Sequence, residues 1–451
     1  MKLWHLVIAR RWLVIGVVAG RCVVPPPVGA QDADPRPAPI DTTTPYPHTR
    51  DTTFSWPNDI AGEFTPGSGF DIVTTKRGSL NISVYGLFRY VNQSPGDQKF
   101  LDHLGRLRDV NTVNSLNWHR TQIWLSGFFF TPRFRYTITS WALPTTQQAL
   151  VFGLVQYYAN RYFQFGAGIL PSLTARSMGG SWPFWGGSDR QMTEEFFRGG
   201  FSSGVFVSGE PIPRLSYTFT ITNNLSQLGV VQANDTPDLT YSASLKWQPT
   251  TGEFGPRGGF IDFEDHTTAA TRFGLNIARS HESRYAPLGS PPNANQIKLS
   301  DGVNPFDLGA LADGVTVTSL TYKVFSLDAG YKLHGFAGQA EWWWRKLDDL
   351  QADGPLPLTS VNDRGGQLQL SQMVIPRTLA AFVGGGYIWD QFDRQPWEAG
   401  GGLSFYPSFT RSWRVNAYAM HVNKSPAASS FGYYVAGMTG TIFSLGTDVL
   451  F

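Results

Sequence analysis

The chain has 451 residues, of which 16% are charged and 14% aromatic, with 48 glycines and a formal net charge of only +2. A soluble domain of average composition is about 25% charged, and the near balance of signs excludes a nucleic-acid surface built on a basic excess. The body of the chain holds no apolar run long enough for a spanning helix; few charges, many aromatics and much glycine point instead to strands that face lipid on one side.

Residues 1–30 read as a secretory signal peptide. Arg10 and Arg11 precede an apolar core from Trp12 to Gly20, and Val28 and Ala30 supply small residues before a cleavage point. Cys22, the single cysteine, sits behind Arg21 rather than behind the small residues a lipidation site needs. Cleavage near Ala30 leaves a chain without disulfides. It also removes Lys2, Arg10, Arg11 and Arg21, so that 32 basic residues face 34 acidic ones. Residues 31–68, rich in Pro, Thr and Asp, read as a flexible periplasmic lead-in.

From residue 69 the texture changes to short alternating stretches divided by Gly, Pro, Asn and Asp. Examples in chain order are LNISVYGLFRY (80–90), RFRYTITSW (133–141), LSYTFTIT (215–222), LTYSASLKW (239–247) and VFSLDAGYKL (324–333). One face of the first carries Leu80, Ile82 and Val84, and the other Asn81 and Ser83. A period of two with one apolar face is the signature of a half-buried strand. Counting such stretches predicts an all-β fold, a transmembrane antiparallel β-barrel of about sixteen strands spanning 69–451. Short periplasmic turns alternate with long outer loops, as outer-membrane barrels require. The stretch 248–269 is too long for a periplasmic turn, which leaves the placing of a strand near 258–264 open. The segment 170–201 is the candidate constriction loop.

The last strand, GTIFSLGTDVLF (440–451), alternates up to its final residue. It must close the barrel against the first strand, because an open edge in lipid leaves backbone groups unpaired. A terminal aromatic at Phe451 resembles the signal by which the barrel-assembly machinery recognises its substrates. Outer-membrane lipid is therefore the expected surrounding of this chain.

Several stretches together resemble the phosphate-selective porin O and P family. GFDIVTTKRGSLNISVYGLFRY (69–90) is similar to that family's opening, and FQFGAGILPS (163–172) with SDRQMTEEFFRGGFSSGVFVSG (188–209) to its third outer loop and the strand after it. Asp189-Arg190, Gly204-Val205 and Ser208-Gly209 fill the family's places there. GGQLQLSQMVIPRTLAAFVGGGYIWD (365–390) and EAGGGLSFYP (398–407) resemble its closing hairpins. The resemblance implies a porin in the outer membrane, often a homotrimer, passing small anionic solutes such as phosphate by diffusion. Two departures remove pore-side charge: Ile169 or Leu170 stands where the family has Lys, and Gly384-Gly385-Gly386 where it often has Arg.

Strand parity puts Arg89, Arg120, Arg135, Lys246, Arg272, Lys332 and Arg345 on the lumen side. Mid-depth on the lipid side each would cost about 2–4 kcal/mol. Inside, each either contacts a passing anion or pairs with an inward acid such as Asp328 or Glu341 and braces the wall. The loop adds Arg176, Trp182, Trp185, Asp189, Arg190 and Arg198, beside Glu194 and Glu195. Its tryptophans either narrow the lumen or anchor the loop. The alternative to an anion pore is a weakly selective or non-selective porin, or a non-conducting barrel serving as an anchor or an outer-membrane hydrolase. GFSSG (200–204) matches a nucleophile elbow at Ser202, but a strand follows it where that motif needs a helix. The histidines show no paired metal spacing, and Asp301, Asp307 and Asp313 lack that of a calcium loop. No catalytic residue, cofactor or metal is expected.

Overall fold

The computed structural model describes residues 65–143, 148–225, 238–284, 288, 295–427 and 433–451. The expected signal peptide and nearly all of the lead-in lie outside the described residues.

The first elements are β1 (Phe70–Thr74), β2 (Ser79–Ser94), β3 (Gln98–Leu101), β4 (Leu107–Val110), β5 (Asn114–Phe128) and β6 (Phe134–Leu143). There follow β7 (Gln148–Asn160), β8 (Phe163–Pro171), a short helix α1 (Met192–Phe197), β9 (Phe201–Ile212) and β10 (Leu215–Thr222). Then come β11 (Thr240–Trp247), β12 (Ala270–Ser283), β13 (Val317–Leu333), β14 (Phe336–Ala352) and β15 (Val361–Ile375). The chain ends with β16 (Leu379–Trp389), β17 (Trp397–Phe405), β18 (Trp413–Asn423) and β19 (Gly440–Leu450).

Sixteen of these strands, β2 and β5–β19, pair antiparallel with their neighbours in a closed ring. Closure is made by β19 on β2, from Thr441 opposite Ser94 to Leu450 opposite Tyr85. Phe451 continues that edge: its N–H donates to Val84 O at 3.1 Å and its carbonyl accepts from Val84 N–H at 3.1 Å. The extra strand β1 then takes over beside β2, with Phe70 opposite Ile82 and its ring 5.1 Å from Phe451. β3 and β4 form a separate hairpin inside the outer loop between β2 and β5.

Parity follows the sequence reading. Along β2, Asn81, Ser83, Tyr85, Leu87 and Arg89 point inward and are buried, while the residues between them face outward. Outward aromatics cluster near the strand ends, as at Phe129–Tyr136 and Trp342–Trp389, giving the girdles of a membrane barrel. Periplasmic turns are tight. Between β13 and β14 only His334 and Gly335 intervene, at φ of 48° and 76°, the left-handed pair of a primed hairpin turn. The exception is 248–269. No strand forms at 258–264; instead the segment folds back into the barrel with a 3-10 turn at Pro256–Gly258. Its apolar residues Phe260, Ile261 and Phe263 are buried inside the barrel without joining the sheet.

Candidate pore interior

The chain leaves β8 at Pro171 and enters the barrel. Residues 172–200 carry few exposed positions, and their polar backbone is met by inward side chains of the wall. Tyr322 OH donates to Phe197 O at 2.9 Å, Trp343 Nε1 to Thr174 O at 3.1 Å and Ser404 Oγ to Gly186 O at 2.8 Å. Phe197 lies flat on Trp343, with ring centroids 5.5 Å apart. The segment α1 sits against β15–β17, where the wall has no side chains to exclude it. A Cβ at Gly384 would collide with Gln191, and one at Gly386 with Thr193. The glycine triplet thus makes room for the loop.

From the opposite end, 248–269 rises to meet it. Phe260 N–H donates to Phe184 O at 2.8 Å and Ser181 N–H to Arg257 O at 2.8 Å. Phe260 packs with Trp182, Trp185 and Tyr85, while Ile261 and Phe263 pack with Met373, Ala380 and Tyr406. Arg411 fixes the segment to Glu264 at 2.9 Å, its guanidinium 5.0 Å from the Phe263 ring centre. His266 bridges Asp262 and Glu253, the latter at 2.7 Å. Burial works against its charge, yet these two carboxylates raise its pKa to about 9. Among the described residues Asp262, Glu264 and His266 lie close enough together to hold a metal, but His266 and Arg411 already use their donor atoms.

All seven cations expected inside do point inward, and they divide into two sets. Arg272 pairs with Asp328 at 2.9 Å, and Arg345 with Asp363 at 2.7 Å while donating to Phe196 O at 3.1 Å. Lys332, fully buried, donates to Phe254 O at 2.8 Å. Arg89 reaches Asp189 of the loop at 3.4 Å. These four brace the wall and hold the inserted segments. Arg120 lies between the rings of Trp141 and Trp182, at 5.9 and 5.4 Å. Arg135 and Lys246 are only half-buried, near the periplasmic end, where Arg135 Nε donates to Pro132 O at 3.0 Å.

Within the loop, Arg190 holds Glu194 at 2.9 Å and Arg198 grips Glu195 with two bonds of 2.7 and 2.8 Å. The two glutamates therefore offer no bare negative charge. Arg176 donates its N–H to Glu341 at 2.8 Å, with its guanidinium 4.4 Å from the Phe260 ring centre. Trp182 and Trp185 are both buried and anchor the loop, Trp182 edge-on to Tyr85 at 4.5 Å. Ser202 is fully buried at the start of β9, and its hydroxyl has no hydrogen-bond partner, so no base stands beside it.

Sequence reasoning missed the acids that complete these pairs, Asp363 and Asp448, and the cation Arg414. Arg414 bonds Asp448 at 2.8 Å and donates to Trp185 O at 2.5 Å. The signal was available: Arg345 faces Asp363 and Arg414 faces Asp448 directly across their hairpins.

The inner face of β5–β11 differs. Its residues include Gln122, Thr137, Thr139, Gln156, Thr220 and Ser242, all buried, with Gln164, Thr218 and Ser244 half-buried below them. Among the described residues its one inward acid is Glu210, at the rim beside Arg161. Both polar atoms of Gln122, the Gln156 carbonyl oxygen and the Ser208 hydroxyl lack a protein partner. Each such group costs about 1–3 kcal/mol if dry, so this wall needs water.

No protein-family model matches the chain, and no curated protein matches it by sequence. Solved structures do match by fold. OmpT of Vibrio cholerae, described as outer-membrane expressed, superposes with a TM-score of 0.52 at 12% identity, over 84% of this chain and 100% of that one. A trimer form of the same protein gives 0.50 at 12%, over 83% and 100%. The anion-selective porin from Comamonas acidovorans gives 0.46 at 9%, over 82% and 100%, too little superposition to argue from. The chain shares the sixteen-stranded barrel fold of Gram-negative outer-membrane proteins.

Proposed function

We infer that this barrel is an outer-membrane porin whose water-filled path follows the β5–β11 wall, past the loop, and favours small anions. The observation that carries this reading is the inner face of β5–β11. It is polar, holds buried groups that need water, and bears Arg120, Arg135 and Lys246 with one acid at its rim. An excess of cations over acids on a wall lowers the barrier to an anion along such a path. The segments 170–201 and 248–269 together form the constriction, and Trp182 and Trp185 hold it in place. Phosphate is the solute that the family resemblance suggests, and an arginine beside half-buried polar groups suits its oxygens. Membership of the phosphate-selective porin O and P family, a homotrimer, a cleaved signal in residues 1–30 and an assembly role for Phe451 belong to the same reading.

The test is a planar bilayer holding the purified barrel under a KCl gradient, followed by orthophosphate. An anion-selective reversal potential with partial block by phosphate supports the reading. Conductance without preference replaces it with a non-selective porin. Folded protein without conductance overturns it in favour of an anchor.

A further inference from the structure

The outward face of β12–β17 is not a uniform apolar wall. Register aligns its residues in rows. At the outer end Arg279 faces Lys323 across β12–β13, and Lys323 faces Lys346 across β13–β14. All three project outward, and both lysines share Asp348, at 2.8 and 3.2 Å. Arg364 stands one step lower on β15, opposite Trp344 and Trp389. Four cations thus face Asp348 and the neighbouring exposed Asp349, which leaves the patch positive.

Lys323 lies eleven residues above the His334–Gly335 turn, about 36 Å along the strand. With a tilt near 40° that is about 28 Å, just above an apolar band about 25 Å tall. The basic row therefore sits at the level of outer-leaflet headgroups. Beneath it come Phe325, Trp344 and Trp389, then Trp342, Tyr387 and Trp397. Beneath these most outward residues become small: Ala329, Ala340, Gly385 and Ala399 share one row, with Leu368 of β15 between Ala340 and Gly385. The result is a groove of about 910 Å³, lined by Ala329, Ala340, Gly366 and Gly385 and rimmed by Phe273 and Trp342.

We propose that this face binds one outer-leaflet glycolipid, its phosphates on Arg279, Lys323 and Lys346 and an acyl chain in the groove below. Charge complementarity selects that occupant. Arginine and lysine at headgroup depth attract lipid phosphates, whereas the apolar wall of a second copy would leave the row without anions. The continuity of cations, aromatic belt and small-residue groove along one set of strands matches a molecule that is anionic at one end and apolar at the other.

The experiment is native mass spectrometry of the full barrel in detergent with lipid A, a bis-phosphorylated acylated disaccharide, as the probe. One retained lipid per chain is expected. The triple variant R279Q/K323Q/K346Q, its folding checked by heat-modifiable gel mobility, loses retention about tenfold or more. Ala340→Trp, which fills the groove without touching the charges, loses retention to a similar degree, and millimolar orthophosphate does not displace the lipid. Undiminished retention by both variants overturns the proposal. So does displacement by orthophosphate alone, which would make the row a free-anion site. A triple variant that falls to monomers while keeping its lipid would make this face a contact between copies.

Discussion

The two halves of the inner wall are built on different physics. On β12–β19 the inward face is crowded with ions that satisfy one another: Arg272 with Asp328, Arg345 with Asp363, Arg414 with Asp448. These pairs are buried, and spare donors of Arg345 and Arg414 hold backbone carbonyls of the 172–200 loop. On β5–β11 the inward face carries neutral polar groups and three cations, and the loop meets it at few points, as where Leu173 N–H donates to Ser242 Oγ at 2.9 Å and Trp182 lies beside Arg120. A charge inside a barrel is thus no guide to conduction by itself. A buried pair fixes the plug, whereas a cation facing half-open polar wall shapes the field a solute meets.

Removing a brace gives the largest expected effect. Arg345→Met strands Asp363 without its partner in a site where both side chains are 1% exposed. The cost is about 3–5 kcal/mol, read as a lowered denaturant midpoint of the folded barrel. Lys246→Gln on the other half leaves that midpoint within about 0.5 kcal/mol. Equal losses would erase the distinction.

Next comes the seat of α1. Gly386→Leu drives a side chain into Thr193 and costs about 1–3 kcal/mol by overpacking. The loss should appear as earlier proteolysis of the 172–200 loop, while a bulky residue at the outward Ala399 leaves the loop protected.

The joint variant R135E/K246E should move the reversal potential several-fold toward cations at unchanged stability. Acid substitution of Lys332 should instead damage folding, because its ammonium is spent on Phe254 O.

The smallest effect concerns pH. His266 is held charged in the folded state, its pKa raised to about 9 from 6.5. Its contribution is fully present below pH 6.5 and is lost as pH rises through about 9. Protease cleavage within 248–269 should therefore increase between pH 7 and 10, and His266→Gln should flatten that dependence.

Much of this architecture was legible in the sequence, and the failures have physical causes. Alternation at Leu80, Ile82 and Val84 sorts the two faces correctly, because lipid tolerates no polar mistake at mid-depth. The apolar residues Phe260, Ile261 and Phe263 mislead, since a short apolar stretch buried as a plug looks like one buried in a sheet. The glycine triplet 384–386 reads as lost charge, and only the arrival of Gln191 and Thr193 turns it into a seat. Which cations are spent on partners depends on strands far apart in sequence, as with Arg89 and Asp189, and on a loop path that no local pattern encodes.

The most direct test of the two-sided interior is cysteine accessibility during conduction. In a Cys22→Ser background, Thr218→Cys places a thiol on the β5–β11 wall and Ser326→Cys one among the buried pairs of β13. A negatively charged sulfonate thiol reagent should abolish most of the current through the Thr218→Cys barrel and leave that of Ser326→Cys unchanged. Block at Ser326→Cys with none at Thr218→Cys would contradict the account, placing the path on the side assigned to the plug.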